Sequence, residues 1–501
     1  MNALYAAVVA QPIIFGVIAV FLLCMIVMGF WANRAGLASR SGGAKKFLEE
    51  YFLAGRSLGG FALAMSTITA YTSASSFIGG PGIAYSLGLG WVLLTMIQVP
   101  TAFLTFGLLG RRFIAFSRKT GALSVSRYLY HRYGSHLLVG VTSSLMIVFF
   151  IAIMLAQFIG GARLFQALTG LPYASGLVVF CITVGVYTTI GGFRAVVLTD
   201  IIQGLVMLVA SVAILWGVID AGGGVAASFG RLAAIDPGLL RPTGVDNSIP
   251  MPMLFSFWVL VGVGVLGLPQ TAQKCLVFHD DKALFRAMVY GTVVIGFILF
   301  ATHLAGALGR GVVPDLPAGD LIMPTLIVRL MPPLLCGLFA AGVLSAIMST
   351  VSSMLIIASA TLIQDVYIAW RLKGDMDAAN PGFVRKLSLG LTGILGGAVF
   401  VLALEPPDLL AWINLFAFGG LEATFFWPIL LGLFWKRANR TGALWSVCAG
   451  VVSFIGINVG KLSIAGMHPI IPSLLAAGLA FLCGNALHRD AASPAARQPE
   501  E

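Results

Sequence analysis

Eight hydroxyl-bearing side chains fall within eleven consecutive positions, from Ser66 to Ser76: Ser66, Thr67, Thr69, Tyr71, Thr72, Ser73, Ser75 and Ser76. They lie in the middle of a long apolar run and are followed by Gly79, Gly80, Pro81 and Gly82. Hydroxyls and freed backbone carbonyls are hard, neutral oxygens, a ligand type suited to an alkali cation. A single Ser or Thr in an apolar helix commonly bonds back to its own i−4 carbonyl. Eight together read instead as an unwound segment facing a cavity, because irregular backbone at membrane depth is tolerated only where it is buried in protein or lines a cavity.

A second set lies far along the chain. Ala346, Ser349 and Thr350 follow i, i+3, i+4 spacing and share one helix face. Their two hydroxyls and the Ala346 carbonyl would complete a five-oxygen site with two carbonyls from the unwound segment. Small residues also suit tight helix packing, and the pattern alone leaves both readings open. In another run Gly262, Gly264, Gly267 and Pro269 interrupt a helix and are followed by Gln270, Thr271 and Gln273. Proline there removes a helical hydrogen bond. Asp200 and Glu422 are the carboxylates set well inside apolar runs, where each needs a partner or a cation. For Asp200 the readings are a structural partner of Arg194, a cation ligand, or a gate. Ser352 and Ser353 would join it around a second cation. His303 and Arg163, the cations in or near the membrane, would attract an anionic substrate or serve in capping and packing.

The elements that position these residues are membrane helices. The chain has 501 residues, 59% apolar and 10% charged, far below the roughly 25% charged expected of a soluble protein. About 20 apolar residues span a bilayer, and thirteen runs of that order occur, among them 10–31, 58–85, 174–191, 195–220, 251–278, 333–366 and 470–487. A basic stretch at 124–133 reads as lying along the membrane surface. The net charge of +11 sits in short connections, which argues for topology and against nucleic-acid binding. With thirteen crossings, 24 of the 30 Lys and Arg fall on one side, Lys274 among them as a loop residue, which places the C-terminus in the cytoplasm and the N-terminus outside. The first basic residue, Arg34, follows the first apolar run, so that run is expected to be retained rather than cleaved as a signal peptide. The six cysteines show no metal-ligand spacing and read as packing residues. No phosphate-binding GxxxxGK[ST] loop occurs, so transport would run on an ion gradient. Two interrupted helices five apart match the layout of five-helix inverted repeats around a midplane site. A transporter is expected; an uncoupled channel or sensor is the alternative, and an enzyme is disfavoured because no catalytic set converges at one depth.

The segments YFLAGRS (51–57), SASSFIGGPG, IGGFRAVVLTD ending at Asp200, IMSTVSS from Ile347 and GLFWKRANRTGA from Gly432 together resemble the sodium:solute symporter family. The resemblance runs from about residue 50 to 487. It implies an all-α integral membrane protein with a leucine-transporter-type fold: one extra N-terminal helix, a 5+5 inverted repeat over about 58–220 and 251–435, and two extra C-terminal helices. It implies a single transmembrane domain, 1–490, with a disordered cytoplasmic tail at 491–501, in a bacterial inner membrane. Carried over by motif, sodium would be held by the carbonyls of Thr69 and Thr72 and by Ala346, Ser349 and Thr350. Substrate would meet Tyr71, Ser73, Ser75, Ser76, Gln270 and Gln273. The implied activity is sodium-coupled import of a small organic anion such as pantothenate, with proline or a monocarboxylate as alternatives within the family. Na+ is the co-transported ion, with no organic cofactor, nucleic acid or obligate protein partner implied.

Overall fold

The computed structural model describes residues 12–40, 43–56, 59–278, 280–372, 379–405 and 410–487. The tail expected to be disordered, 491–501, lies outside them. The described residues are helical throughout, apart from short connections and a single isolated bridge between Ile464 and Met467. In chain order the helices are α1 (Pro12–Arg40), α2 (Ala44–Leu53), α3 (Gly60–Tyr71), α4 (Gly80–Leu87), α5 (Leu89–Thr120), α6 (Val125–Tyr133), α7 (His136–Thr169), α8 (Tyr173–Ala221) and α9 (Val225–Ile235). They continue with α10 (Met251–Gly267), α11 (Pro269–Cys275), α12 (Asp281–Gly309), α13 (Ile322–Leu330), α14 (Pro333–Thr361), α15 (Pro381–Ala403), α16 (Leu410–Phe434), α17 (Arg440–Val459) and α18 (Ile470–Leu487).

Among the described residues, ten helices are long and apolar enough to cross a membrane, and eleven if the bent pair α10–α11 forms one span. The expected run at 58–85 is absent from this tally because it is broken into α3 and α4, each too short alone. The expected runs 174–191 and 195–220 fuse into the 49-residue α8. At 1.5 Å per residue that helix would be about 73 Å long, more than twice a hydrocarbon core. It is divided at Gly192, whose φ of 65° and ψ of −158° lie outside helical space.

The short helix α2 explains why the division sits there. Tyr51 packs so closely on Gly192 that a Cβ would meet its ring at 2.7 Å and its carbonyl at 2.8 Å. The Tyr51 hydroxyl donates to Thr189 O at 2.9 Å, and Arg194 Nε donates to Glu50 Oε1 at 2.6 Å. The conspicuous segments near 51 and 190 are therefore two faces of one joint. The basic stretch 124–133 forms α6, which packs on α7 and α16; Arg132 donates to the Gly432 and Trp435 carbonyls.

Around the centre, α14 packs against α8, and α8 against α1. From Phe339 to Thr361 every residue of α14 is buried. Its small residues allow this: Gly342 lies against Ala210 of α8, where a Cβ would come within 2.9 Å of the alanine methyl. The buried helix thus holds Ala346, Ser349 and Thr350 against the break between α3 and α4.

Candidate functional site

Helix α3 ends at Tyr71, and Thr72 is extended (φ −89°, ψ 137°). Helical backbone resumes at Ala74, passes through wide turns at Ser75–Gly79 and continues into α4. Three of the clustered hydroxyls bond back along the chain, Thr67 to Leu63 O, Thr69 to Ser66 O and Thr72 to Ile68 O, and Thr72 also reaches Met207 Sδ of α8 at 3.4 Å. Ser73, Ser75 and Ser76 serve the break. Ser73 and Ser75 share a hydrogen bond at 2.6 Å, and Ser76 Oγ accepts the Ser73 amide at 3.3 Å. The Ala74 amide donates to Gln157 Oε1 of α7 at 3.3 Å. Gln157 was not singled out by sequence; an amide inside an apolar helix was the available signal.

The break frees backbone carbonyls, and α14 meets them. Ser349 Oγ donates to Thr69 O at 3.0 Å, and Thr350 Oγ1 donates to Thr72 O at 3.2 Å. Both hydroxyls also lie near Ala346 O, at 3.1 and 2.9 Å. Five neutral oxygens from two helices therefore converge where Thr69, Thr72, Ala346, Ser349 and Thr350 are all buried. A hydroxyl has lone pairs as well as a proton and can turn from donating to a carbonyl to ligating a cation.

Beside this cluster lies a charged relay. Ser66 Oγ donates to Asp200 Oδ2 at 2.6 Å. The Lys274 ammonium donates to Ser66 O and, at 3.0 Å, to Ser66 Oγ. All three residues are fully buried. Two expectations are corrected here. Arg194 does not pair with Asp200, because its guanidinium faces the other way, toward Glu50 on α2. Lys274 is not a loop cation, because Pro269 restarts a helix that carries it into the protein. Ser352 Oγ donates to Ser349 O, and Ser353 Oγ has no partner among the described residues.

The second broken helix shapes the other wall of a cavity. Leu268 is extended (φ −82°, ψ 117°) between α10 and α11, which are bent by 47°. Thr271 Oγ1 donates to Val265 O and Leu268 O, tying off carbonyls left by the bend. The cavity, about 170 Å³, is lined by Tyr71, Ser73, Ser75, Ser76 and Gln270 from the expected set. Tyr71 is fixed by a 2.8 Å hydrogen bond to Thr105 Oγ1. Gln273 is a correction: it faces away from the cavity, donating to Leu123 O at 2.7 Å and accepting from the Val125 amide at 3.2 Å. The connection into α6 has backbone groups that need partners, and Gln273 supplies them. Lining residues outside the expected set include Trp91, His303, Asn414 and Glu422. His303 Nδ1 is 2.7 Å from Leu299 O, and its ring lies so close to Gly80 that a side chain at 80 would collide with it.

Residues 51–450 match the model of the sodium:solute symporter family. The chain belongs to that family. It is a sodium-coupled membrane transporter and not an enzyme, with Na+ as the co-transported ion. It is 46% identical over 464 residues to the sodium/pantothenate symporter of Escherichia coli (strain K12), covering 93% of this chain and 95% of that one. It is 27% identical over 468 residues to the osmoregulated proline transporter of Bacillus subtilis (strain 168), covering 91% of each. A Na+-coupled sialic acid symporter solved in a substrate-bound outward-open state superimposes with a TM-score of 0.82 over 95% of this chain and 98% of its own, at 21% identity. That likeness establishes the fold.

Proposed function

We propose that this protein imports pantothenate together with Na+ by alternating access. The observation that carries the mechanism is the convergence of Thr69 O, Thr72 O, Ala346 O, Ser349 Oγ and Thr350 Oγ1 across the α3–α4 break. A sodium ion there draws the two hydroxyls and three carbonyls inward and fixes the unwound backbone. That in turn sets Tyr71, Ser73, Ser75 and Ser76 along the cavity, opposite Gln270. Substrate and ion thus stabilise the same backbone shape, which is the physical content of coupling. The substrate assignment is supported by 46% identity to a relative named for pantothenate against 27% to one named for proline.

Asp200 serves as an inner gate in this reading, and Ser352 bonds along its own helix to Ser349 O rather than to Asp200. The Lys274–Ser66–Asp200 relay joins α11, α3 and α8 below the cavity. The Lys274 ammonium supplies the positive charge that a second sodium would otherwise bring to Asp200. One Na+ with one monoanion moves no net charge, so uptake draws only on the concentration gradient, about 1.4 kcal/mol per tenfold ratio. A second Na+ would add about 2.3 kcal/mol per 100 mV.

The architecture we infer has thirteen crossings in one transmembrane domain, 1–490. The ten clear spans gain three from the bent α10–α11 pair, the broken α3–α4 helix and the division of α8 at Gly192. Residues 58–220 and 251–435 form the two five-helix repeats. With Lys274 buried, 23 of the other 29 basic residues still fall on one side, so the N-terminus lies outside a bacterial inner membrane and the C-terminus in the cytoplasm. The cavity then lies toward the outer ends of its helices, near Trp91 and Phe257.

The test is uptake of labelled pantothenate into proteoliposomes. Uptake should require inward Na+, fall to background with choline in its place, resist excess proline and produce no substrate-induced current. Uptake that is unchanged in choline, or that proline abolishes, overturns the reading.

A further inference from the structure

Three of the residues that line the cavity carry a buried acceptor oxygen with no hydrogen-bond partner among the described residues. Gln270 Oε1, Asn414 Oδ1 and Glu422 Oε2 each lack a hydrogen-bond partner, and their residues are 3%, 8% and 1% exposed. All three line the same cavity. Asn414 and Glu422 are eight residues apart on α16 and share a face of that helix; Gln270 approaches from α11 across the bend. Glu422 reaches its position beside Gly264, where any side chain would overlap its carboxylate. The glycine in the interrupted helix makes room for the acid.

No Lys or Arg side chain lines the cavity among the described residues. The amides of Gln270 and Asn414 can turn to offer either oxygen or nitrogen, and the Glu422 carboxyl keeps an acceptor oxygen whether or not it carries a proton. A buried acceptor without a donor is strongly unfavourable, so this wall is completed by a ligand that brings donors. The anionic end of the substrate then lies toward the hydroxyls of Ser73, Ser75 and Ser76, which can donate to it, beside the proposed sodium position.

We propose that Glu422, flanked by Asn414 and Gln270, is the specificity-determining group that reads the donor-rich end of the substrate: two hydroxyls and an amide N–H. This rests on the pantothenate reading above. Pantothenate offers those three donors against these three acceptors. A monocarboxylate without hydroxyls leaves the wall unsatisfied, and sites built to bond a substrate hydroxyl reject analogues that lack it far more strongly than apolar pockets reject a missing methylene.

The experiment is competition against labelled pantothenate in proteoliposomes, using unlabelled pantothenate and N-(3,3-dimethylbutanoyl)-β-alanine, which keeps the carboxylate and amide but has neither hydroxyl. In the unsubstituted protein the dehydroxy compound should compete about 100-fold or more weakly. In Glu422→Ala, KM for pantothenate should rise about tenfold or more, while inhibition by the dehydroxy compound changes little, so the gap narrows. Glu422→Gln, which keeps an acceptor oxygen, should fall between the two. Should Glu422→Ala be too slow to assay, binding of both compounds to the purified variant reads the same ratio. Normal pantothenate uptake with an unchanged ratio in Glu422→Ala overturns the role of Glu422 alone. No pantothenate uptake or binding by the unsubstituted protein overturns both this inference and the function it rests on.

Discussion

Replacing Lys274 by Met removes the cation from a sealed relay and leaves the Asp200 carboxylate without a compensating charge. The two hydrogen-bond legs, 3.0 Å from Lys274 to Ser66 and 2.6 Å from Ser66 to Asp200, fix how far apart the charges can be. At a separation of about 5.6 Å and an effective dielectric near 20, their attraction is about 3 kcal/mol. Uncompensated burial of the remaining charge typically brings the cost of losing one partner to about 3–5 kcal/mol. Lys274→Met and Asp200→Asn should therefore each destabilise the purified protein, while the double variant should lose much less than the two combined. The assay is a double-mutant cycle on denaturant unfolding in detergent, with a coupling of about 2 kcal/mol or more expected. Costs that add to within about 0.5 kcal/mol would show that the two charges do not sense each other and would remove the gate from the mechanism.

Three further outcomes follow from the geometry. Ser349→Ala and Thr350→Ala should each raise the Na+ needed for half-maximal uptake by about tenfold or more, since a hydrogen bond to a charged group is worth about 1.5–3 kcal/mol; sodium titration of uptake in vesicles checks this, and normal titrations in both variants refute the ion position. Gln273→Ala should lower thermal stability but leave KM for substrate unchanged, because its bonds go to Leu123 and Val125 rather than to the cavity. A raised KM with normal stability would contradict that placement. Gly192→Ala should destabilise by about 1–3 kcal/mol from backbone strain alone, and by more through collision with Tyr51. Expression and melting temperature equal to those of the unsubstituted protein would show that the break in α8 tolerates a side chain.

How legible each part was depended on contrast. Hydroxyls at Ser66–Ser76 and the spacing of Ala346, Ser349 and Thr350 stand out against apolar surroundings, and the structure brings these two segments into direct contact. The break at Gly262–Pro269 was equally visible, since glycine and proline have few other uses inside an apolar helix. Lys274 was misplaced for the opposite reason. It stands near the end of an apolar run, where a basic residue ordinarily marks a connection, and only the restart of helix at Pro269 carries it inward. Gln273 was misassigned because i, i+3 spacing from Gln270 suggests a common face, whereas the backbone entering α6 offered it better partners. Asp200 and Arg194 are near neighbours in sequence, yet the guanidinium bonds to α2 instead. Glu422 was visible as a lone acid in an apolar run, but its role depended on which helix faces meet across the cavity, information held in tertiary packing alone.

The opened turn at Thr72 means that much of the proposed sodium cage belongs to the polypeptide chain itself. Three of its five oxygens, at Thr69, Thr72 and Ala346, are peptide carbonyls, which every amino acid carries. Changing the side chain at 69 or 72 leaves the corresponding ligand atom in place, so mutagenesis aimed at those positions perturbs the local fold rather than the ion's coordination. Affinity for the cation is therefore tunable through the hydroxyls of α14 alone, while the other wall of the cage responds only to changes that straighten or deepen the bend.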